Sequence, residues 1–356
     1  MAALLVLFGL LLNAQAQTTI FPPYAQSGTP TIEWTLGLGS FDGPKMNFFN
    51  TNSAQWWYFD VVSNDLTESI VITFLGNAPG ATETPASEVP FNFIEVNLQL
   101  SNGSLAALLV PSQSIIMTTI GDGSSAVFNG SGYSWTGTPN VTVYTINIDD
   151  TVNDLSGSIT FNTAAYRHAS CGPDIIGGTL LVVANLGWAN AIPDSVATVS
   201  LTYQGQQISY QGRGYHDSNW GNQSFAADLG SWYWGHATFG PWSLVWWDMM
   251  DVNGNEHQLG YASYNGQIIS NTCAGISVRP TGANSAYPPV AGLLPSGFYI
   301  VYDLGLTNGI LVVNTTNTQT VVEYPGLYSR WVGSVVGGVT GETTYTGVAL
   351  YEEMGV

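Results

Sequence analysis

The chain has 356 residues, of which 45% are hydrophobic and only 8% charged, and its net charge is −19 from 5 basic and 24 acidic side chains. Ordinary soluble domains carry about 25% charged residues, so this surface must be built largely from Ser, Thr, Asn and Gly. An acidic field of this size argues against nucleic acid or an anionic membrane as a partner, and the length suggests two domains.

Ala2–Leu12 is an unbroken apolar run, too short to span a bilayer, and Ala14-Gln15-Ala16 follows it as a small-x-small cleavage pattern. Residues 1–16 read as a secretory signal peptide, although no Lys or Arg precedes the run; the other reading is a buried N-terminal strand. A mature chain starting near Gln17 would enter the secretory pathway, to be secreted or held in a vesicular lumen. Five glycosylation sequons, at Asn102, Asn129, Asn140, Asn222 and Asn314, fit that route. From Gln55-Trp56-Trp57-Tyr58-Phe59-Asp60-Val61 onward the pattern has period two. It returns at Val71–Phe74, Phe93–Leu100, Val141–Ile148, Ser156–Phe161, Ala197–Tyr203, Gln207–Tyr210 and Gly297–Tyr302. Asn-Gly turns at Asn102, Asn129, Asn253, Asn265 and Asn308 punctuate it, and no long helical period competes. The fold class is therefore all-β, sandwich or barrel. Val245–Val252 faintly repeats Gln55–Val61, each leading to a polar turn. This gives two barrel-like domains, residues 17–229 and 230–356, with Gly212–Gly230 as the linker. Cys171 and Cys273 fall in different halves. In an oxidising compartment they form one disulfide; the alternative is two buried free thiols.

The densest chemistry lies in GRGYHDSNWG (Gly212–Gly221) and GSWYWGHATFGPWSLVWWD (Gly230–Asp248), which hold six of the twelve Trp. Aromatic walls with a few polar groups suit a bulky, mostly apolar small molecule, and a domain interface is a common place for such a site. Period two puts Trp232, Trp234 and His236 on one face, and Leu244, Trp246 and Asp248 on one face of the next strand. The turn at Gly240-Pro241 makes those strands an antiparallel pair. Arg213, Tyr215 and Asp217 share one side of theirs, with His216 opposite. The four His (His168, His216, His236, His257) lack metal-ligand spacing, and no G-x-S-x-G elbow or Gly-rich strand-to-helix loop is present. Neither a metal nor an organic cofactor is expected.

These residues resemble a known family. GRGYHDSNWG is similar to the G-x-G-Y-H-D-x-N-W-G pattern of the hydroxyneurosporene-synthase-like (AttH-like) family. Gln55–Asp60 resembles its opening W-Y-F-D strand, and Thr346–Glu352 its closing strand. The resemblance implies two tandem lipocalin-like barrels with the ligand site at or near their interface. It also implies one of the family's chemistries. Bacterial members hydrate carotenoid precursors, and fungal members are Diels–Alderases. Among the latter are hetero-Diels–Alderases that join a tropolone-derived quinone methide to a humulene-type sesquiterpene, and the sequon-rich, Lys-poor character here is most similar to that branch. Ser218 stands where family members often carry a second His, which weakens the hydratase alternative.

A [4+2] cycloaddition needs no nucleophile. Positioning the partners contributes roughly 7–11 kcal/mol, and a hydrogen bond to the electron-poor partner about 1–4 kcal/mol. Candidate donors are His216, Asn219, Tyr215 and His236. Candidate substrate contacts are Trp56, Tyr58, Trp220, Trp232, Trp234, Trp246, Asp248 and Arg213. Each has a plainer reading. Asn219 satisfies turn backbone, Arg213 and Asp217 form a buried structural pair, and His236 is a core histidine. Asp60 and Asp248 cap turns or act as bases, and about half of the Trp are barrel core. The alternatives to a pericyclase are an isoprenoid hydratase, with Asp217 or Asp60 as the acid, and a non-catalytic carrier.

Overall fold

In the computed structural model, which describes residues 15–77, 89–290 and 292–355, the alternating segments become strands of two curled sheets. The proposed signal peptide lies, except for its last two residues, outside the described residues. The first sheet contains β1 (Gln17–Phe21), β2 (Ala54–Ser63), β3 (Ser69–Gly76), β4 (Asn92–Gln99), β5 (Leu105–Ser112), β6 (Ser114–Ile120) and β7 (Gly123–Asn129). It continues with β8 (Tyr133–Gly137), β9 (Val143–Asp150), β10 (Leu155–Thr163), β11 (His168–Ala169), β12 (Leu181–Val183), β13 (Leu186–Tyr203) and β14 (Gln206–Gly221). The second contains β15 (Leu229–Phe239), β16 (Trp242–Asp251), β17 (Glu256–Tyr264), β18 (Gln267–Thr272), β19 (Ile276–Thr281), β20 (Gly297–Asp303), β21 (Ile310–Tyr324), β22 (Tyr328–Val339) and β23 (Tyr345–Gly355). Among the described residues no helix is long and apolar enough to cross a membrane.

The strand orders are β1-β6-β7-β8-β9-β10-β13-β14-β2-β3-β4-β5 and β18-β17-β16-β15-β23-β22-β21-β20-β19, with β11 and β12 on β13. The two sheets share a plan. An early strand pairs with the last one (β2 with β14, β15 with β23), and a meander runs outward on either side. The internal duplication is thus real at the level of topology, but it matches β2 to β15 and not to the Val245–Val252 strand. The segment expected as a linker is also reassigned. Gly212–Gly221 is the C-terminal part of β14, between β13 and β2, and the chain crosses through 222–228, which holds a single 3-10 turn at Phe225–Ala227.

Period two then builds three cores. Trp57, Phe59, Phe74, Trp135 and Tyr144 fill the first sheet's hollow. Tyr233, Trp246, Phe298, Trp331 and Tyr351 fill the second. The alternate side chains, among them Tyr58, Tyr215, Trp234 and Trp247, pack between the outer faces of the two sheets. Large aromatics bury about 150–250 Å² each, so all three layers are held mainly by apolar burial. A Cβ on Gly235 would lie 2.5 Å from both the Trp246 ring and Tyr351 Cβ. Gly235→Ala should therefore cost about 1–3 kcal/mol through overpacking, read as a lower urea midpoint; an unchanged midpoint would contradict this packing.

The expected disulfide is present. Cys171 and Cys273, 102 residues apart with Cα atoms 5.5 Å apart, tie the segment after β11 to the turn between β18 and β19. Asn271 Nδ2 reinforces the tie by donating to Ala169 O (3.2 Å) and Gly172 O (2.7 Å), and His168 stacks on Tyr261 at 4.1 Å.

Candidate functional site

Between the two outer faces lies a cavity of about 660 Å³. Its walls follow from strand register. On the first sheet, Asp217, Tyr58, Thr73, Glu95 and Leu109 form one cross-strand row over β14, β2, β3, β4 and β5. Asn219, Trp56, Leu75 and Phe93 form the next row, two residues along. On the second sheet, Trp247, Trp234, Glu352 and Arg330 form a row over β16, β15, β23 and β22, and Trp232, Met354 and Tyr328 the row beside it. All of these residues line the cavity. A pleated strand shows every second side chain to one face, so two facing sheets with their aromatics at matching parity generate most of the hollow, and Phe225 and Ala226 of the crossing segment complete its lining.

Asp217 is the wall's most unusual group. Its carboxyl is buried, and it accepts hydrogen bonds from Trp188 Nε1 (2.7 Å) and the Tyr215 hydroxyl (2.7 Å) on Oδ2 and from Asn219 Nδ2 (3.2 Å) on Oδ1. Burial outweighs these donors and pushes its pKa up to about 6. Oδ2 is thus committed to protein, whereas Oδ1 has one partner and capacity for a proton shared with a ligand. The Tyr58 hydroxyl, buried in the same wall, has no partner among the described residues. Opposite, Glu352 accepts from Trp232 Nε1 (3.3 Å), Arg330 Nε (3.2 Å) and the Tyr328 hydroxyl. Behind the wall, His236 Nε2 sits 2.8 Å from Asp60 and its ring stacks on Tyr215 at 4.6 Å, which fixes the ring whose hydroxyl holds Asp217.

The residues expected at the site divide by parity. Trp56, Tyr58, Asn219, Trp232 and Trp234 line the cavity, and Tyr215 supports it through Asp217. His236 stands one layer back. His216 faces the opposite way, into the first sheet's core. It stacks on Phe59 at 3.7 Å, with Nδ1 2.9 Å from Tyr58 O and Nε2 3.1 Å from Asp42. Trp220 shares that parity; it is core, donating to Glu33 O at 3.0 Å. Trp246 belongs to the second sheet's own core, and Asp248 is held by Arg279 (2.9 Å) and the Tyr287 hydroxyl (3.1 Å) away from the cavity. Arg213 pairs with Asp194, not with Asp217. Arg213 and Asp217 stand four strand steps apart, about 13 Å, which no pairing spans. Asp60 is bound to His236, and this contact joins β2 to β15.

Sequence reasoning missed Trp247, Phe225, Glu95, Tyr328, Arg330, Glu352 and Met354. Trp247 was within reach. Phe239 pairs with Trp242 around the Gly240-Pro241 turn, and counting back from it pairs Trp234 with Trp247 and leaves Trp246 on the other face. Among the described residues, no cluster of three His, Cys, Asp or Glu is arranged to hold a metal ion.

Comparison with known proteins adds to this geometry. The family described as Diels-Alderase-like matches residues 25–278. The quinolone epoxide rearrangement protein penF of Penicillium thymicola is 33% identical over 350 residues, 95% of each chain. Among solved structures, CghA with Sch210972 superposes with a TM-score of 0.78 at 16% identity, covering 95% of this chain and 98% of that one. A putative AttH from Nitrosomonas europaea gives 0.52 at 12% identity, over 84% of this chain and 92% of its own. These two share the fold, including the lipocalin-like sheets that the motif resemblance implied.

Proposed function

This chain belongs to the Diels-Alderase-like family, and from that premise we propose that the cavity between the sheets is the active site of a cofactor-independent isomerase that opens a strained carbon–oxygen ring by acid assistance. The observation that carries the reading is Asp217, a buried carboxyl held at a pKa of about 6 in a hollow walled by Trp56, Trp232, Trp234 and Trp247. The relative at 33% identity is named for the rearrangement of a quinolone epoxide, and we extend that substrate class to this chain.

The chemistry balances within the cavity. Asp217 gives its proton to the epoxide oxygen as one carbon–oxygen bond breaks. The carbon left electron-poor faces indole rings, whose negative faces stabilise a developing cation by about 2 kcal/mol when water is excluded. A neighbouring substituent migrates with its electron pair to that carbon. The protonated carbonyl so formed returns its proton to Asp217. Atoms are conserved and the carboxyl ends as it began. Exclusion of water keeps the cation from being captured as a diol.

A [4+2] cycloaddition, as in the tropolone–sesquiterpene branch, is the second reading. The family description favours it, as do two donors in one wall, the Asn219 amide and the unpartnered Tyr58 hydroxyl. One experiment separates the two. The purified protein is given a quinolone epoxide in H₂¹⁸O and, in a parallel reaction, an activated diene–alkene pair. The rearrangement reading expects an isomer of unchanged mass without ¹⁸O. Acceleration of the cycloaddition alone supports the second reading, and no acceleration of either defeats both.

We also propose passage through the secretory pathway. All five sequon asparagines are solvent-exposed, which supports glycosylation, as does the cystine. Enzymatic deglycosylation of protein from a fungal host should lower its apparent mass; an unchanged mass would count against this route.

A further inference from the structure

Among the described residues, Arg330 is the one Lys, Arg or His side chain that lines the cavity. It is also buried, with its side chain about 10% exposed. Nε donates to Glu352 Oε2 at 3.2 Å and Nη1 to Asn97 Oδ1 at 3.2 Å, whereas Nη2 has no partner among the described residues. The guanidinium plane is fixed by two rings, Tyr58 at 5.3 Å and Tyr328 at 5.4 Å. Strand register sets Arg330 directly opposite Glu352 and Glu352 opposite Trp234, so the ion pair belongs to the same row as the aromatic wall.

A purely structural pair would be expected to close on itself. Taking a guanidinium and a carboxylate out of water gives little net stability, and an apolar pair of the same size would join these strands at no such cost. A buried cation with both Nη2 hydrogens unspent is instead built for a ligand. Nε and Nη2 share one edge of the planar guanidinium. The free donor therefore lies beside the Glu352 carboxylate, which still has acceptor capacity after its three bonds. A donor next to an acceptor matches an edge that presents C=O beside N–H.

We propose that Arg330 and Glu352 form the orienting anchor of this cavity: Arg330 Nη2 donates to a carbonyl oxygen of the ligand, Glu352 accepts from the adjacent N–H, and the site thereby selects lactams over lactones and N-alkyl lactams. This rests on the reading of the cavity as the substrate site and adds what orients the substrate there. The anchor is on the second sheet and the acid on the first, so a ligand held by its lactam edge presents a more distant ring to Asp217.

The test is calorimetric titration of the intact protein with three unreactive probes of similar shape, quinolin-2(1H)-one, its N-methyl derivative and coumarin, and with naphthalene as an apolar control. Wild type should bind the first at least tenfold more tightly than either of the others. Glu352→Gln should bring the preference over the N-methyl compound to within about threefold. Arg330→Met should weaken quinolinone and coumarin together by tenfold or more and leave naphthalene binding unchanged. If Arg330→Met fails to fold, Arg330→Lys keeps the charge without the guanidinium edge and should lose the same affinity. Equal binding of the three probes by wild type would overturn the proposal, and so would variants that keep the wild-type order. Because the readout is binding, lactam selectivity without any epoxide turnover would sink the proposed reaction and leave the anchor standing, and turnover without selectivity would do the reverse.

Discussion

Asp217→Asn should lower turnover of the epoxide by about 10²–10⁴-fold, the usual contribution of a positioned general acid, while an unreactive ligand still binds within a few-fold of wild type. Asn preserves shape and can still accept from Trp188 and Tyr215, so the loss would report the missing proton. The pH profile carries the same information with a definite sign. Burial holds the Asp217 pKa at about 6, above its ordinary 3.8. The protonated form is the active acid, so kcat/KM should be flat below about pH 5 and fall as pH rises through 6. In Trp188→Phe one donor to the carboxylate is lost, the charged form is less stabilised, and the falling limb should move to higher pH. A cycloaddition without proton transfer would show no such limb. Full activity in Asp217→Asn, or a limb that persists in it, would remove Asp217 from the chemistry.

Loss of the cystine should produce the largest change in stability. Cys171 and Cys273 close a loop of 102 residues and join the two sheets. The chain-entropy relation for a loop of that length gives about 4–5 kcal/mol, a large share of the roughly 5–15 kcal/mol that holds a typical fold. Cys171→Ser with Cys273→Ser should therefore unfold at a clearly lower urea concentration than wild type under identical conditions. Beyond the apolar packing between the outer faces, the remaining ties between the sheets are polar, among them Asn271 on the Ala169 and Gly172 carbonyls, His236 on Asp60, Ser243 on Asp194, Tyr261 on the Tyr166 carbonyl and Arg330 on Asn97. Ligand binding in the double variant should weaken as well, since both walls of the cavity depend on the two sheets staying in register. A midpoint within about 1 kcal/mol of wild type would show that apolar packing between the outer faces suffices alone.

Local pattern made much of the fold legible. Alternation identifies strands because a pleated chain must sort its side chains by parity. The Gln55–Asp60 strand is legible from its alternation, whereas Gly212–Gly221, read as part of a linker, belongs to β14; the cavity does lie between the two sheets. Parity also explains the errors. His216 sits one residue from Asp217, and that single step sends its ring into the first sheet's core. Trp246 and Trp247 differ in the same way, and only the hairpin register decides between them. What no local pattern could show is the polar part of the far wall, beside the expected Trp232 and Trp234. Arg330 and Glu352 come from β22 and β23, in stretches without a chemical motif. They acquire meaning only when those strands pair beside β15. Likewise, Asp42 is a partner for His216 and Asp194 one for Arg213 through contacts that bridge loops and bulged strands.

The central claim is that ligand, acid and aromatic walls meet in the space between the outer faces of the two sheets. It is tested most directly by a crystal structure with an unreactive quinolone in which a CH₂ group replaces the epoxide oxygen. The expected complex has the ligand between Trp56 and Trp234, with the three-membered ring beside Asp217 Oδ1. Clear density for the ligand inside either sheet's own hollow, next to His216 or Trp246, with the space between the sheets still empty, would contradict it.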